Sequence, residues 1–193
     1  ELLRALDEPP SVPFATVHLL ARMKTLPPTK TLLPKLTRLF PDPSMRKPLV
    51  KILERLGAID PDFVVPQLLD LLSSTDSDVR RVGVESLIAI GLRHSPRTVP
   101  VLLGHLRSKP ADALPRRAEL IALLTKIGKI HATRLVPDLL KLLDNPLHRA
   151  PAATVLGEIG GAHASAITPR LLALLKTESN YDTKQVLIQA LAA

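Results

Sequence analysis

The chain contains no cysteine and no tryptophan, and aromatic residues make up only 2% of its 193 positions: Phe14, Phe40, Phe63 and Tyr181. Without cysteine there is no disulfide framework, no thiolate metal ligand and no thiol nucleophile. Four rings cannot build the stacking platforms that read single-stranded nucleic acid. No apolar run approaches the roughly 18 residues of a membrane-spanning segment. A glycine-rich phosphate loop is also missing, since Gly160-Gly161 closes a helical pattern rather than forming a cradle. Acidic residues are the minority charge, 18 against 26 Lys and Arg, which leaves a net charge of +8.

Against those absences stands an internal repeat. Gly57/Pro66, Gly91/Pro100, Gly128/Pro137 and Gly160/Pro169 are four pairs with the same nine-residue offset. With Pro34, the prolines step by 32, 34, 37 and 32 residues. A period of roughly 30–40 residues with two helices per unit marks an α-solenoid. After each proline the chain reads as paired leucines, as in Leu68-Leu69-Asp70-Leu71-Leu72, Leu139-Leu140-Lys141-Leu142-Leu143 and Leu171-Leu172-Ala173-Leu174-Leu175. That spacing covers one wide helix face. The proline is expected to open this A helix, where its missing N–H has no partner to lose.

The B helix precedes the glycine. Positions −4 and −1 are Leu53/Leu56, Leu87/Ile90, Leu124/Ile127 and Leu156/Ile159, and position −7 is Val50, Val84, Ile121 and Ala153. These draw one apolar stripe, which the glycine is expected to end as a left-handed cap. The expectation is one all-α domain over 1–193, with units at 1–28, 30–57, 61–91, 96–128, 133–160 and 165–193. Glu1 stands where an initiator methionine would, and the last helix (Val186 to Leu191) lacks a polar closing face. The chain therefore reads as a piece of a longer protein, with end-to-end self-association expected of the open array. The cysteine-free composition reads as cytoplasmic.

Segments such as Asp78-Val79-Arg80-Arg81, Leu87-Ile88-Ala89-Ile90-Gly91 and Val99-Pro100-Val101-Leu102-Leu103 resemble HEAT repeats, in particular the short bacterial and archaeal type also found in phycobilisome lyase subunits. The resemblance covers residues 30–193 and, more loosely, the first 29. It implies a right-handed superhelix of about six antiparallel helix pairs, with the B helices on the concave side. It also implies a non-catalytic scaffold for protein–protein interaction.

Eleven positions before each glycine stands a basic residue: Arg46, Arg80, Arg117 and Arg149, with Lys184 in the matching place of the last unit. In HEAT repeats such an arginine commonly pairs with a turn residue, so the resemblance implies a structural ladder with Asp42, Asp76 and Asn145. The competing reading is a cationic stripe for phosphate or an acidic partner. Basic residues left over after the ladder include Lys47, Arg81, Arg107, Lys109, Arg116 and Lys126. Several flank the longest turn between A and B helices, residues 107–117, and loops on one edge of a solenoid are often its binding edge. Lys47, Arg81, Arg107, Lys109 and Arg116 are therefore the candidate contacts to an acidic protein. Small residues on the B helices (Gly83, Ala118, Ala150, Ala152) are expected to open a shallow groove. A second reading is sequence-nonspecific binding to a nucleic-acid backbone, with steep salt dependence. A third, carried by the resemblance alone, is a bilin-lyase-like subunit.

His94, His131 and His163 each fall three residues after the glycine, with Asp60 in the same place of an earlier unit. Packed helices lie about 10 Å apart, whereas zinc ligands sit about 2 Å from the ion, so successive layers cannot share a metal. A polar residue closing the turn is the simpler role. No metal site, cofactor or catalytic residue is assigned.

Overall fold

The structure, a computed structural model, describes residues 1–7, 11–108 and 117–193, with side chains for 1–7, 13–104, 119 and 121–193. Every regular element among them is helical: α1 (Leu2–Ala5), α2 (Ser11–Leu20), α3 (Thr29–Leu36), α4 (Arg46–Ile59), α5 (Pro61–Leu71), α6 (Ser77–Ser108), α7 (Arg117–Leu142), α8 (Pro146–Ile159), α9 (Ala164–Thr177) and α10 (Tyr181–Ala192). Among the described residues, no helix is long and apolar enough to cross a membrane. The fold is all-α and of the solenoid class. Its contacts divide it into two compact units, Glu1–Leu102 and Leu103–Ala193. In the first, α4 packs on α2, α3 and α5; in the second, α8 packs on α7 and α10.

Each described B helix that starts after a turn is started by an Asx side chain. Asp42 Oδ1 accepts from the Ser44 N–H at 2.9 Å, ahead of α4, and Asp76 Oδ1 accepts from Asp78 and Val79 at 2.8 and 3.2 Å, at the start of α6. Asn145 serves α8 through Leu147 at 3.0 Å, and Asn180 serves α10 through Thr183 at 2.9 Å. A side-chain oxygen here satisfies an N–H that has no partner within the helix, worth about 1 kcal/mol.

Three B helices run past their glycine, while α8 ends at Gly160, there in a right-handed conformation (φ −78°, ψ −16°). Gly57, Gly91 and Gly128 lie inside α4, α6 and α7, and no described glycine has a positive φ. The expected left-handed cap is therefore corrected. The chain breaks three residues later, at Asp60 (φ −136°, ψ 71°), His94 (−124°, 27°), His131 (−121°, 35°) and His163 (−119°, 13°). Glycine is required instead by close approach. A Cβ on Gly57 would lie 2.5 Å from Ile90 Cδ1, and one on Gly128 would lie 2.7 Å from Ile159 Cδ1. Ile90 and Ile159 each immediately precede the glycine of the next hairpin. Each glycine is thus the hole into which the next B helix sets its isoleucine.

Since the break comes after the glycine, the A helix begins earlier than expected. Pro34, Pro66 and Pro169 are the sixth residues of α3, α5 and α9, and Pro100 and Pro137 stand sixth after the breaks in α6 and α7. They do not open their helices, and each gives up one bond of the ladder. Pro34, Pro100, Pro137 and Pro169 are exposed and Pro66 is half-exposed, so the lost bond falls on the side away from the core.

The expected −4/−1 stripe of the B helices is buried throughout: Leu53, Leu56, Leu87, Ile90, Leu124, Ile127, Leu156 and Ile159. Position −7 is mixed, since Ala153 is buried but Val50, Val84 and Ile121 are only half-buried. Its place is taken by position −5, where Ile52, Leu123 and Val155 are buried. Burying one such side chain contributes about 1.5–3 kcal/mol, so the stripe outweighs any surface ion pair at about 0–1 kcal/mol. In α6 position −5 is Ser86, fully buried, and its Oγ has no hydrogen-bond partner.

Three substitutions test this packing. Gly57→Ala gains about 1 kcal/mol in helix propensity but overpacks Ile90 at a cost of about 1–3 kcal/mol, so it destabilises. Adding Ile90→Val removes the struck Cδ1, and urea denaturation should find the double variant more stable than the sum of the singles by about 0.5–1 kcal/mol. Additive behaviour would reject the close contact. Ser86→Ala removes an unmet buried hydroxyl and should raise the urea midpoint at unchanged m-value, by about 1 kcal/mol.

Candidate functional site

Beyond the stripe, the B helices leave positions −10, −6, −3 and −2 exposed or half-exposed in the first unit. There α4 places Lys47, Lys51, Glu54 and Arg55, and α6 places Arg81, Glu85, Ile88 and Ala89. Most of these are long, and several are tied down. Arg55 donates to the carbonyls of Leu20 (3.4 Å) and Lys24 (2.8 Å), and Glu54 pairs with Arg93 at 2.9 Å. Glu85 lies 3.7 Å from Arg46, which also stands 4.0 Å from Asp78. Lys47 and Arg81 are exposed, and no described residue forms an ion pair with either. Of the other candidate contacts, Lys109 and Arg116 lie outside the described residues, as do the side chains of Arg107 and Arg117.

Asp42, Asp76 and Asn145 serve as helix caps, and the arginine side chains reach other groups. Arg80 Nη1 donates to the carbonyls of Ser74 and Thr75 at 2.8 Å each, closing the turn before its own helix. Arg149 Nε does likewise to Leu143 at 2.9 Å, while its Nη1 reaches Glu178, at the turn before α10. Arg46 likewise reaches forward, to α6.

Glu178 is the best-held carboxylate of the second unit. Its side chain is 8% exposed and accepts from Arg149, while Oε1 takes the N–H groups of Ser179 and Asn180 at 2.9 Å each. The Asn180 N–H and then the Arg149 guanidinium hold its pKa below the ordinary value, against the opposing effect of desolvation.

The second unit carries different side chains at the same positions. At −6, −3 and −2, α7 has Ala122, Thr125 and Lys126, and α8 has Thr154, Gly157 and Glu158. A groove of ≈ 540 Å³ opens there, lined by these α7 residues, Ile121, Lys129, Thr154 and Glu158. Lys129 Nζ stands 3.8 Å from Glu158. Thr154 Oγ1 donates to the Ala150 carbonyl at 3.0 Å, but Thr125 Oγ1 is buried with no partner. A smaller hollow of ≈ 130 Å³ adjoins it, between Thr154, Gly157 and Glu158 on one side and Val186, Gln189 and Ala190 on the other.

The small residues expected to open a groove do not. Gly83, Ala150 and Ala152 are buried, and a Cβ on Gly83 would lie 3.1 Å from the Leu68 carbonyl oxygen. Gly83 and Ala152 stand at −8, and Ala150 stands at −10, a position that is packed in α8 although exposed in α4 and α6; the Ala118 side chain lies outside the described residues, and the groove-lining Ala122, Thr125 and Thr154 stand at −6 and −3. That offset is legible in the sequence once the helix is known to run past its glycine. Among the described residues no cluster of His, Cys, Asp and Glu could hold a metal ion.

A family model described as HEAT repeats matches residues 29–124. No curated protein matches the chain. Among solved structures, the crystal structure of an engineered protein from the Northeast Structural Genomics Consortium is 18% identical, over 99% of this chain and 94% of that one, with a TM-score of 0.43.

The Glu178 geometry sets a pH dependence. A carboxylate whose folded pKa is depressed adds stability above its unfolded pKa, near 4.5, and loses it as pH falls through the folded value. Urea midpoints between about pH 6 and pH 3 should therefore fall less steeply for Glu178→Gln than for the parent chain. Parallel slopes would discount the carboxylate.

Proposed function

Because the chain belongs to the HEAT-repeat family through residues 29–124, whose repeats generally serve as protein–protein interaction scaffolds, we propose that it is a non-catalytic scaffold that binds an acidic protein partner through its outward B-helix face and the basic A–B edge. The observation that carries this reading is the pair Lys47 and Arg81. They occupy the same register position on successive B helices, both exposed and both without an ion-pair partner among the described residues. Cations left uncompensated at one register position attract carboxylates and raise encounter rates. Arg107, Lys109 and Arg116 extend the proposed edge on sequence grounds. The low aromatic content leaves few side chains of the type that dominates tight interfaces, which favours modest affinity per contact.

Binding to a nucleic-acid backbone draws on the same net charge of +8, and salt separates the two readings. Fluorescence anisotropy should show an acidic, glutamate-rich peptide binding the chain and weakening by about tenfold for Lys47→Glu/Arg81→Glu. A short DNA duplex should bind weakly even at about 50 mM salt. Tight duplex binding that collapses by about 200 mM salt would transfer the basic edge to nucleic acid.

A further inference from the structure

Side-chain size builds the groove of the second unit. At the −6 and −3 positions α4 carries Lys51 and Glu54 and α6 carries Glu85 and Ile88, but α7 carries Ala122 and Thr125 and α8 carries Thr154 and Gly157. The truncation leaves ≈ 540 Å³ between two parallel-register B helices, inside the roughly 300–1,000 Å³ of clefts that hold ligands. Its lining is apolar at Ile121 and Ala122, which stand half-exposed and exposed. Beside them stands Thr125, whose side chain lines the groove while its Oγ1 is turned away from solvent and unbonded.

The charges around the groove are asymmetric. Lys126 and Lys129 stand on the α7 side; Lys126 has no ion-pair partner among the described residues, while Lys129 lies 3.8 Å from Glu158 on the α8 side. A carboxylate is therefore attracted at the α7 flank and repelled at the α8 flank. Resting on the scaffold reading above, we infer that this groove receives an amphipathic helix of a partner protein, with aliphatic side chains over Ala122 and Thr154 and acidic side chains along one flank, against Lys126. Helix-in-groove docking uses anchors of this kind at helical spacing. A nucleic-acid backbone, acidic all round and without aliphatic groups, matches neither the floor nor the Glu158 side.

The probe is a fluorescein-labelled helical peptide with leucine on one face and glutamate along one flank, compared with the same peptide carrying lysine in place of glutamate. On the full chain, the glutamate peptide should saturate below about 100 µM and the lysine peptide should not. Ala122→Trp fills the groove and Lys126→Glu reverses its free charge, and each should weaken binding by about tenfold with the circular dichroism spectrum unchanged. Glu158→Gln frees Lys129 and should tighten binding by a few fold. No saturation, equal binding of the lysine peptide, or an affinity indifferent to Ala122→Trp would each overturn the groove. Loss through Lys47→Glu/Arg81→Glu with Ala122→Trp silent would overturn the groove and leave the scaffold reading standing.

Discussion

How near one B helix can come to the next is decided at the repeat glycine, and much of the packing follows from it. With no side chain at Gly57 or Gly128, the isoleucine of the following hairpin enters the space a methyl group would take. Close packing of this kind carries the hydrophobic stripe from layer to layer, and no single helix pair could bury its stripe alone. α4, α6 and α7 run past their glycine and α8 stops at Gly160, and a non-helical residue follows three positions after each, at Asp60, His94, His131 and His163. Gly157 repeats the device against Ala190, where a Cβ would stand 2.9 Å from the Cα.

Once the inner faces are sealed, the outward positions of the B helices are free to differ. In the first unit most of them are long and several are engaged, with Arg55 donating to two carbonyls and Glu54 paired with Arg93. In the second they are short, and a groove results. Polar ties run along the edge rather than through the core: Asx caps at helix starts, and arginines that reach the preceding turn or the next hairpin. Exposed ties of this kind contribute little individually. The Arg149–Glu178 contact is the exception by burial, with side chains 16% and 8% exposed.

The repeat, the helix pairs and the −4/−1 stripe were readable in the residues because burial imposes a period that leucine and isoleucine obey. The helix ends were not. Glycine and proline carry strong general meanings, cap and first turn, and in this chain both sit inside helices. Composition marks such residues as special without saying whether conformation or space is the reason. The same ambiguity misdirected the groove: Gly83, Ala150 and Ala152 are buried, whereas Ala122 lines the groove and Gly157 both borders a hollow and admits Ala190.

The sequence by itself determined that the chain is an all-helical repeat and that the −4/−1 side chains of the B helices face inward, since these depend on local periodicity and on removing apolar surface from water. Only the tertiary structure decided what the glycines are for, where each helix stops, which arginines reach the next layer and where a groove opens. Those depend on the distance between helices from different repeats, a quantity that no local pattern encodes.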